Sequence, residues 1–298
     1  MIDVSIIIVN YNTCELTLSC IKSIIDLTEN IAYEIIVVDN ASSDSSCEMI
    51  ESIFPNVILL KNSINLGFGT ANNLGVRHSQ GKYVFLLNSD TKFLNNALQF
   101  FYEFYENNSF GHRIGIVGTE LLNSDLLPTH SSGFFPVFSD VIKRTLKINY
   151  NEDVFIDKNK GYLVVEYITG ANLFIEKRLF DDFSGFDEDF FMYYEETDLQ
   201  KRFASNGYKS VLIAGPKIIH FQGKSFVGQN SIRKITMEYN GFFLYHYKHT
   251  SFFLYFFIRL FYILFRMPIL LVRSKNNKEI KSIITIFFKN PLYRNLNL

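Results

Sequence analysis

The chain has 298 residues, 48% of them hydrophobic, and a formal net charge of −1, enough for one large domain or two modest ones. Charge so close to zero lacks the footprint of a nucleic-acid binder, and no nucleic-acid partner is expected. Cys14, Cys20 and Cys47 are odd in number and without paired spacing, which is neither a disulfide framework nor a zinc site and fits a reducing, cytoplasmic compartment.

The opening Met1-Ile2-Asp3-Val4 carries no basic stretch, so Val4 to Val9 reads as a strand buried on both faces rather than the apolar centre of a signal peptide. Thr17 to Leu27 places Leu18, Ile21, Ile24 and Ile25 at helical spacing. Glu34 to Val38 and Asn56 to Leu60 read as further strands. Leu66 to Gln80 reads as a glycine-led turn into a helix, and Tyr83 to Leu87 as a fourth strand. This alternation predicts an α/β fold, a mostly parallel sheet covered by helices. Asn123 to Tyr162 is weakly patterned and reads as loops and short helices. Tyr167 to Ile175 reads as one strand and Glu195 to Ser205 as a helix stopped at Gly207. Val211 to Ala214 and Lys217 to Ile219 are short strands.

In such sheets ligands bind beyond the carboxyl ends of the strands. Three predicted strands end in polar clusters: Asn10-Tyr11-Asn12, Asp39-Asn40-Ala41-Ser42 and Asn88-Ser89-Asp90. Asn, Asp and Ser are also ordinary turn formers, but three clusters at one sheet edge point to a site. Asp90 can hold a divalent cation against a diphosphate, with oxygen ligands suiting Mg²⁺ or Mn²⁺, or it can cap a helix beginning near Lys92. Tyr193-Tyr194-Glu195-Glu196-Thr197-Asp198 crowds aromatics against acids at a helix start, where acids also suit the helix dipole. Asp198 has Arg202 four residues on, a surface ion pair. Adjacent Glu195 and Glu196 point about 100° apart on a helix, so one of them can serve as general base on a sugar hydroxyl. His220 ends a strand before Phe221-Gln222-Gly223-Lys224, a place for metal contact by the histidine and phosphate contact by Lys224. Gly67-Phe68-Gly69 with Asn72, Asn73 and Gly75 lacks the spacing of a dinucleotide fingerprint and reads as a turn packing a helix close to a nucleotide.

The stretches VSIIIVNYN, EIIVVDNASSD, NLGFGTANNLG, VFLLNSD, ITGANLFI, FDEDFFMYYEETDLQKR and IIHFQGKS, spanning roughly residues 3 to 226, resemble the family 2 inverting glycosyltransferases of the GT-A (Rossmann-like) fold, in particular the bacterial rhamnosyltransferase-like members of cell-surface polysaccharide synthesis. The resemblance implies that Asn10, Tyr11 and Asn12 line a base pocket with Asp39 on the pyrimidine ring. It also implies that Asn65, Gly67 and Asn72 lie near ribose and phosphates and that Gly170, Ala171 and Lys224 contact the sugar nucleotide. Asn88-Ser89-Asp90 stands where the family has Asp-any-Asp, so Asp90 and His220 would hold the metal. Glu195 and Glu196 match the acidic pair whose second member is the base. Two positions depart from the family: Asn88 replaces its first Asp, which usually serves the ribose, so that a deoxyribose donor such as a dTDP-sugar would need fewer contacts there than a UDP-sugar, and Glu196 replaces an Asp. The implied acceptor is a glycan or polyprenyl-linked hydroxyl. Two other readings stay open, a sugar nucleotidyltransferase, although residues 10–15 form no glycine- and basic-rich phosphate loop, and a non-catalytic sugar-nucleotide-binding scaffold.

From His246 onward there are nine basic residues and one acid, Glu279, which makes the tail about +8 and the remainder about −9. Phe252 to Leu271 is long enough to cross a bilayer, but Arg259 and Arg266 lie within it and share a helix face with Arg273. That pattern is expected of a helix lying in an anionic membrane interface at the inner face of the plasma membrane. A buried or dimer helix and a true span are the alternatives, and Pro268 ends or kinks the helix. The expected organisation is a catalytic domain over residues 1–235 and a basic aromatic helical tail over 236–298.

Overall fold

The computed structural model describes residues 1–107, 113–145, 156, 161–221, 231–274 and 276–289. The first half contains β1 (Val4–Asn10), α1 (Cys14–Leu27), β2 (Tyr33–Asp39), α2 (Ser46–Ile53), β3 (Ile58–Lys61), α3 (Phe68–Arg77), β4 (Tyr83–Asn88), β5 (Thr91–Phe93), α4 (Ala97–Glu106), β6 (Ile114–Gly118), β7 (Leu121–Leu122), β8 (Ser132–Gly133) and α5 (Phe138–Thr145). After these come β9 (Tyr162–Val165), β10 (Tyr167–Ile168), β11 (Asn172–Glu176), α6 (Lys177–Asp182), α7 (Glu195–Ser205), β12 (Lys209–Ile213), β13 (Ile218–His220), α8 (Ser231–His249), α9 (Phe252–Phe265), α10 (Met267–Arg273) and α11 (Asn277–Phe288).

Contacts divide the chain into two units, the first being Met1–Phe134, Glu152–Asp187 and Glu196–Val227, the second Phe135–Asn151, Glu188–Glu195 and Gly228–Leu298. The first unit is built on an eight-stranded sheet in the order β3-β2-β1-β4-β11-β6-β12-β9. β3, β2, β1 and β4 run parallel, β11 enters antiparallel to β4, and β9 closes the far edge antiparallel to β12. Alternation along β1 explains its apolar run from Ile6 to Val9. Val4, Ile6 and Ile8 join the core beneath α1, α2 and α4, while Ile7 joins the opposite core with Ala71 of α3, Phe180 of α6 and Leu199 of α7. Both faces are covered, as parallel strands require.

Several sequence expectations shift. The third strand begins two residues later than expected, at Ile58. On α1, Cys20, Ile21 and Ile24 are buried, whereas Ile25 is exposed. The single strand expected over Tyr167 to Ile175 is two, because β10 pairs with β8 and β11 pairs with β4. Thr169, Gly170 and Ala171 bend between them. No helix starts near Lys92, since Thr91 to Phe93 forms β5 and pairs antiparallel with β13. The helix-cap reading of Asp90 therefore falls. Asp198 and Arg202 do pair, at 2.8 Å, but the carboxylate is buried rather than on the surface. Arg202 also donates to the carbonyls of Phe183 and Gly185, each at 2.7 Å, so the pair fastens α7 to the preceding loop.

In the second unit, α8 to α11 share a core of Phe242, Phe243, Tyr255, Ile258, Ile283 and Phe287, among others. α9 stops at Phe265 and α10 restarts with Pro268 in its first turn, where proline is tolerated. Two arginines of the stripe, Arg259 and Arg266, turn inward, while Arg273 is exposed. The Arg259 guanidinium donates to the Phe287 carbonyl at 2.7 Å and to the Tyr255 hydroxyl at 2.5 Å, and it also reaches the Lys289 carbonyl. It thereby satisfies carbonyls at the end of α11 that the helix leaves without partners. Arg266 donates to the Tyr239 hydroxyl at 2.7 Å. The outward face is instead aromatic: Phe252, Phe253, Phe256 and Phe257 are all more than half exposed.

Candidate functional site

Parallel pairing sets Asn10 opposite Asp39 and Val9 opposite Asn88, so the carboxyl ends of β2, β1 and β4 lie side by side. Asn10 is fully buried and every part of its amide is engaged. Its Nδ2 donates to Asp39 Oδ1 at 2.7 Å and to Ser42 Oγ at 3.0 Å. Its Oδ1 accepts from Thr13 and Thr17 at 2.8 and 2.7 Å. Asn10 thus aims the Asp39 carboxylate, which also accepts from the Ser42 backbone N–H at 2.9 Å. Asn12 is exposed in a left-handed conformation and accepts from the Ser43 backbone N–H at 2.7 Å. Tyr11, half-buried, stands between them at the end of β1.

A second network hangs from Asn40. Its Nδ2 donates to Asn65 Oδ1 at 2.9 Å and to the Gly67 carbonyl at 3.2 Å. Its Oδ1 accepts from Asn62 and from the Leu66 N–H at 3.1 and 3.0 Å. Gly67, at φ +85°, turns the chain into α3, a conformation that glycine adopts without steric cost. Asn72 is buried and its amide donates back to the Phe68 carbonyl at 3.0 Å. Its neighbour Asn73 makes the longer reach, exchanging two hydrogen bonds with the Phe186 backbone.

The third strand end carries the acid and the histidine. Pairing of β13 with β5 sets His220 opposite Thr91, 129 positions away in sequence. His220 Nε2 lies 3.1 Å from Asp90 Oδ1 and 3.4 Å from Asn88 Nδ2. The Asp90 side chain is 4% exposed and that of His220 14%. Ser89 is buried, with Oγ 3.0 Å from Thr13 Oγ1, which ties this strand end to the Asn10 network. An octahedral cation with donors at about 2.1 Å holds adjacent donors about 3.0 Å apart, so the Asp90–His220 separation fits two neighbouring ligands of one ion. Among the described residues no three His, Cys, Asp or Glu groups gather around a common point, and the remaining ligands would come from substrate phosphate and water.

The Ala171 carbonyl accepts from the Asn88 N–H at 3.1 Å, which carries β11 along the same edge. A side chain on Gly170 would meet Phe68 at 3.6 Å and Glu196 at 3.7 Å, so Gly170 and Glu196 adjoin. Glu195 is buried and Glu196 half-buried at the start of α7. α7 is fastened by Gln200, fully buried, which accepts from the Ile168 N–H at 2.7 Å and donates to its carbonyl at 2.8 Å. Lys224 lies outside the described residues. The structure brings together Asn10 with Asp39, Asn65 with Gly67, Asn88 with Asp90 and His220, and Gly170 with Glu196. Sequence reasoning passed over Asn40, though it sits inside a singled-out cluster, and Gln200, which has no local signature.

Residues 5–180 match the family described as Glycosyl transferase family 2. The chain belongs to this family. Among relatives of this family-2 chain, an uncharacterized glycosyltransferase of Rickettsia bellii is 36% identical over 36% of the chain and 16% of its own length. The low-salt glycan biosynthesis hexosyltransferase Agl10 of Haloferax volcanii is 26% identical over 66% of the chain and 60% of its own. The N-acetylglucosaminyl-diphospho-decaprenol L-rhamnosyltransferase of Mycobacterium tuberculosis is 24% identical over 64% and 67%. The chain therefore spans less than two thirds of the Rickettsia and Haloferax relatives. The Pyrobaculum calidifontis mannosyltransferase PcManGT, solved with GDP-Man and Mn²⁺, superposes with a TM-score of 0.58 at 13% identity, over 95% of this chain and 73% of that one. GalNAc-T7, solved with UDP, GalNAc and Mn²⁺, gives 0.63 at 14% identity, over 96% and 54%. These likenesses bear out the GT-A α/β fold.

Proposed function

We propose that the chain transfers a sugar, rhamnose being the first candidate, from a dTDP- or UDP-sugar to a hydroxyl of a glycan or polyprenyl-linked acceptor, with inversion at the anomeric carbon. The observation that carries this reading is the convergence of the Asn10–Asp39 pair and the Asp90–His220 pair on adjoining strand ends. Asp39 and the Asn10 to Asn12 loop take the pyrimidine base, and Asn65 with Gly67 borders the ribose and phosphates. Asp90 and His220 would hold Mg²⁺ or Mn²⁺, whose charge supports the departing diphosphate. Glu196 accepts the proton of the acceptor hydroxyl. The freed oxygen forms the new glycosidic bond as the anomeric carbon–phosphate oxygen bond breaks and its electron pair leaves on the nucleoside diphosphate. No covalent enzyme intermediate forms.

The experiment is a donor panel of UDP-, dTDP- and GDP-sugars, reading slow donor hydrolysis without acceptor and the product anomer with it. Metal-dependent release of nucleoside diphosphate is expected from a pyrimidine donor. A protein that binds a donor but never cleaves it is a scaffold, and the reading fails.

The exposed aromatic face of α9 lies on the same unit as exposed Arg273, Lys278 and Lys281. An anionic membrane attracts such basic residues at about 1 kcal/mol each. Apolar insertion with basic attraction suffices for peripheral attachment, and we place the protein at the inner face of the plasma membrane. The Phe252–Arg273 segment also has the length and composition of a span, but Arg259 and Arg266 within it bond to their own unit. Co-sedimentation with vesicles containing anionic lipid, lost on joint Phe252→Ser, Phe253→Ser, Phe256→Ser and Phe257→Ser substitution, is the expected result. A dimer in solution that ignores vesicles would contradict it.

A further inference from the structure

Two consecutive tyrosines, Tyr193 and Tyr194, hold φ at +70° and +72°. Bulky residues rarely occupy this left-handed region, and those that do are held there by their surroundings, often at functional sites. The next residue, Glu195, begins α7. The direction in which α7 starts is therefore set by a turn that its own sequence disfavours.

α8 supplies what holds the turn. A Cβ on Gly241 would stand 2.4 Å from the Tyr193 carbonyl oxygen and 3.1 Å from Tyr194 Cδ2. Any side chain there displaces the turn, which accounts for a helix-weakening glycine in the interior of α8. Tyr194 packs against Phe242 and Tyr245, ring centroids 5.9 Å apart in each case. Phe190 is buried with Leu244 and Tyr245. Upstream, Asp189 pairs with Lys248 at 2.7 Å. Gly241, Tyr245 and Lys248 recur every three or four residues and so share one helix face.

We propose that this face of α8 is a positioning element. It templates the left-handed Tyr193–Tyr194 turn, from which the chain enters α7 at Glu195, the residue next in sequence to Glu196. The inference rests on the reading of Glu196 as the base.

The test compares two substitutions that both remove the ring at 193 and differ in tolerance of positive φ, which asparagine accepts and a β-branched residue does not. Misplacing a reacting group by about 1 Å can cost about 100-fold. Tyr193→Val is expected to lower kcat at least about tenfold below Tyr193→Asn, with donor Kd within about twofold for both. Gly241→Ala should show the same split, kcat down and donor Kd unchanged. Equal kcat for the two position-193 variants overturns the proposal, as does wild-type kcat in Gly241→Ala. Should Gly241→Ala fail to fold, the pair at 193 decides. Glu196→Gln is measured beside them. Wild-type turnover there ends the base assignment, while the position-193 pair still reports whether the turn governs turnover.

Discussion

Asn10 and Asp39 can be exchanged to separate architecture from recognition. In Asn10→Asp the amide that donates to Asp39 at 2.7 Å becomes a second buried carboxylate. Two ionised groups at that 2.7 Å separation would repel by about 6 kcal/mol at an effective dielectric of 20. Protonating one ordinary aspartate at pH 7 costs less, about 4 kcal/mol, so the folded state takes up a proton and the loss is limited to that amount. The folded variant then binds one more proton than the unfolded chain. Its stability falls as pH rises, by about 1.4 kcal/mol per unit between pH 5 and pH 7. Reversing both residues, Asn10→Asp with Asp39→Asn, restores a single donor facing a single carboxylate. The carboxylate at 10 still accepts from Thr13 and Thr17, and the amide oxygen at 39 still accepts from the Ser42 N–H. Urea unfolding should therefore show stability returning to within about 1 kcal/mol of wild type, with the extra pH slope gone. The negative charge, however, has moved one strand over. If Asp39 reads the base, calorimetric donor binding stays lost in the stable double variant. Failure of the exchange to restore stability would refute the brace. Restoration of donor affinity along with stability would refute the recognition role of Asp39.

Asp90→Asn and His220→Ala should each weaken Mn²⁺- or Mg²⁺-dependent donor binding, and wild type in excess chelator should lose it too, whereas full activity in chelator would remove the cation from the account. Arg259→Gln should destabilise the helical unit, because the α11 carbonyls it serves lose a charged donor worth about 1.5–3 kcal/mol, while vesicle affinity at the folded plateau changes little. A large loss of vesicle binding in a fully folded Arg259→Gln protein would return the arginine to the membrane contact. His246 is fully buried against Phe242, and burial first, then the charge of His249, lowers its pKa to about 4 from an ordinary 6.5. The unfolded chain binds the proton first as pH falls, so stability present above pH 6.5 is lost toward pH 4, by roughly 3 kcal/mol in all. His246→Phe should flatten that acid limb in urea titrations from pH 7 to pH 4, and an unchanged limb would exclude this histidine.

The sequence displayed β1, β2 and β4 clearly because strands buried on both faces are written as near-continuous apolar runs, as in Ile6 to Val9. It displayed the strand ends for the complementary reason, that Asn10, Asp39 and Asp90 interrupt such runs abruptly. The partner of Asp90 was legible only through family resemblance, since β13 reaches β5 across more than a hundred residues and nothing local encodes that pairing. The break lies at Thr169-Gly170-Ala171, inside the run from Tyr167 to Ile175, but nothing local says that the two halves join different sheets. The arginine spacing in the tail was correctly periodic but misleading in direction. Heptad spacing says that Arg259 and Arg266 share a face; it does not say whether that face meets lipid or, as here, the carbonyl end of α11 and the Tyr239 hydroxyl of α8. Gln200 was invisible, because a buried glutamine bridging α7 and β10 looks in sequence like any helical surface residue.

The central claim is that Glu196 removes the acceptor proton in a sugar transfer assembled at the ends of β1, β2 and β4. Its most direct test is Glu196→Gln, which keeps the shape beside Gly170 and removes the base. Single-turnover transfer and donor Kd should be measured on the same preparation, with Glu195→Gln as comparison. The account predicts a loss of roughly 100- to 10,000-fold in transfer rate with donor Kd essentially unchanged, and a smaller loss for Glu195→Gln. Wild-type transfer by Glu196→Gln would contradict it.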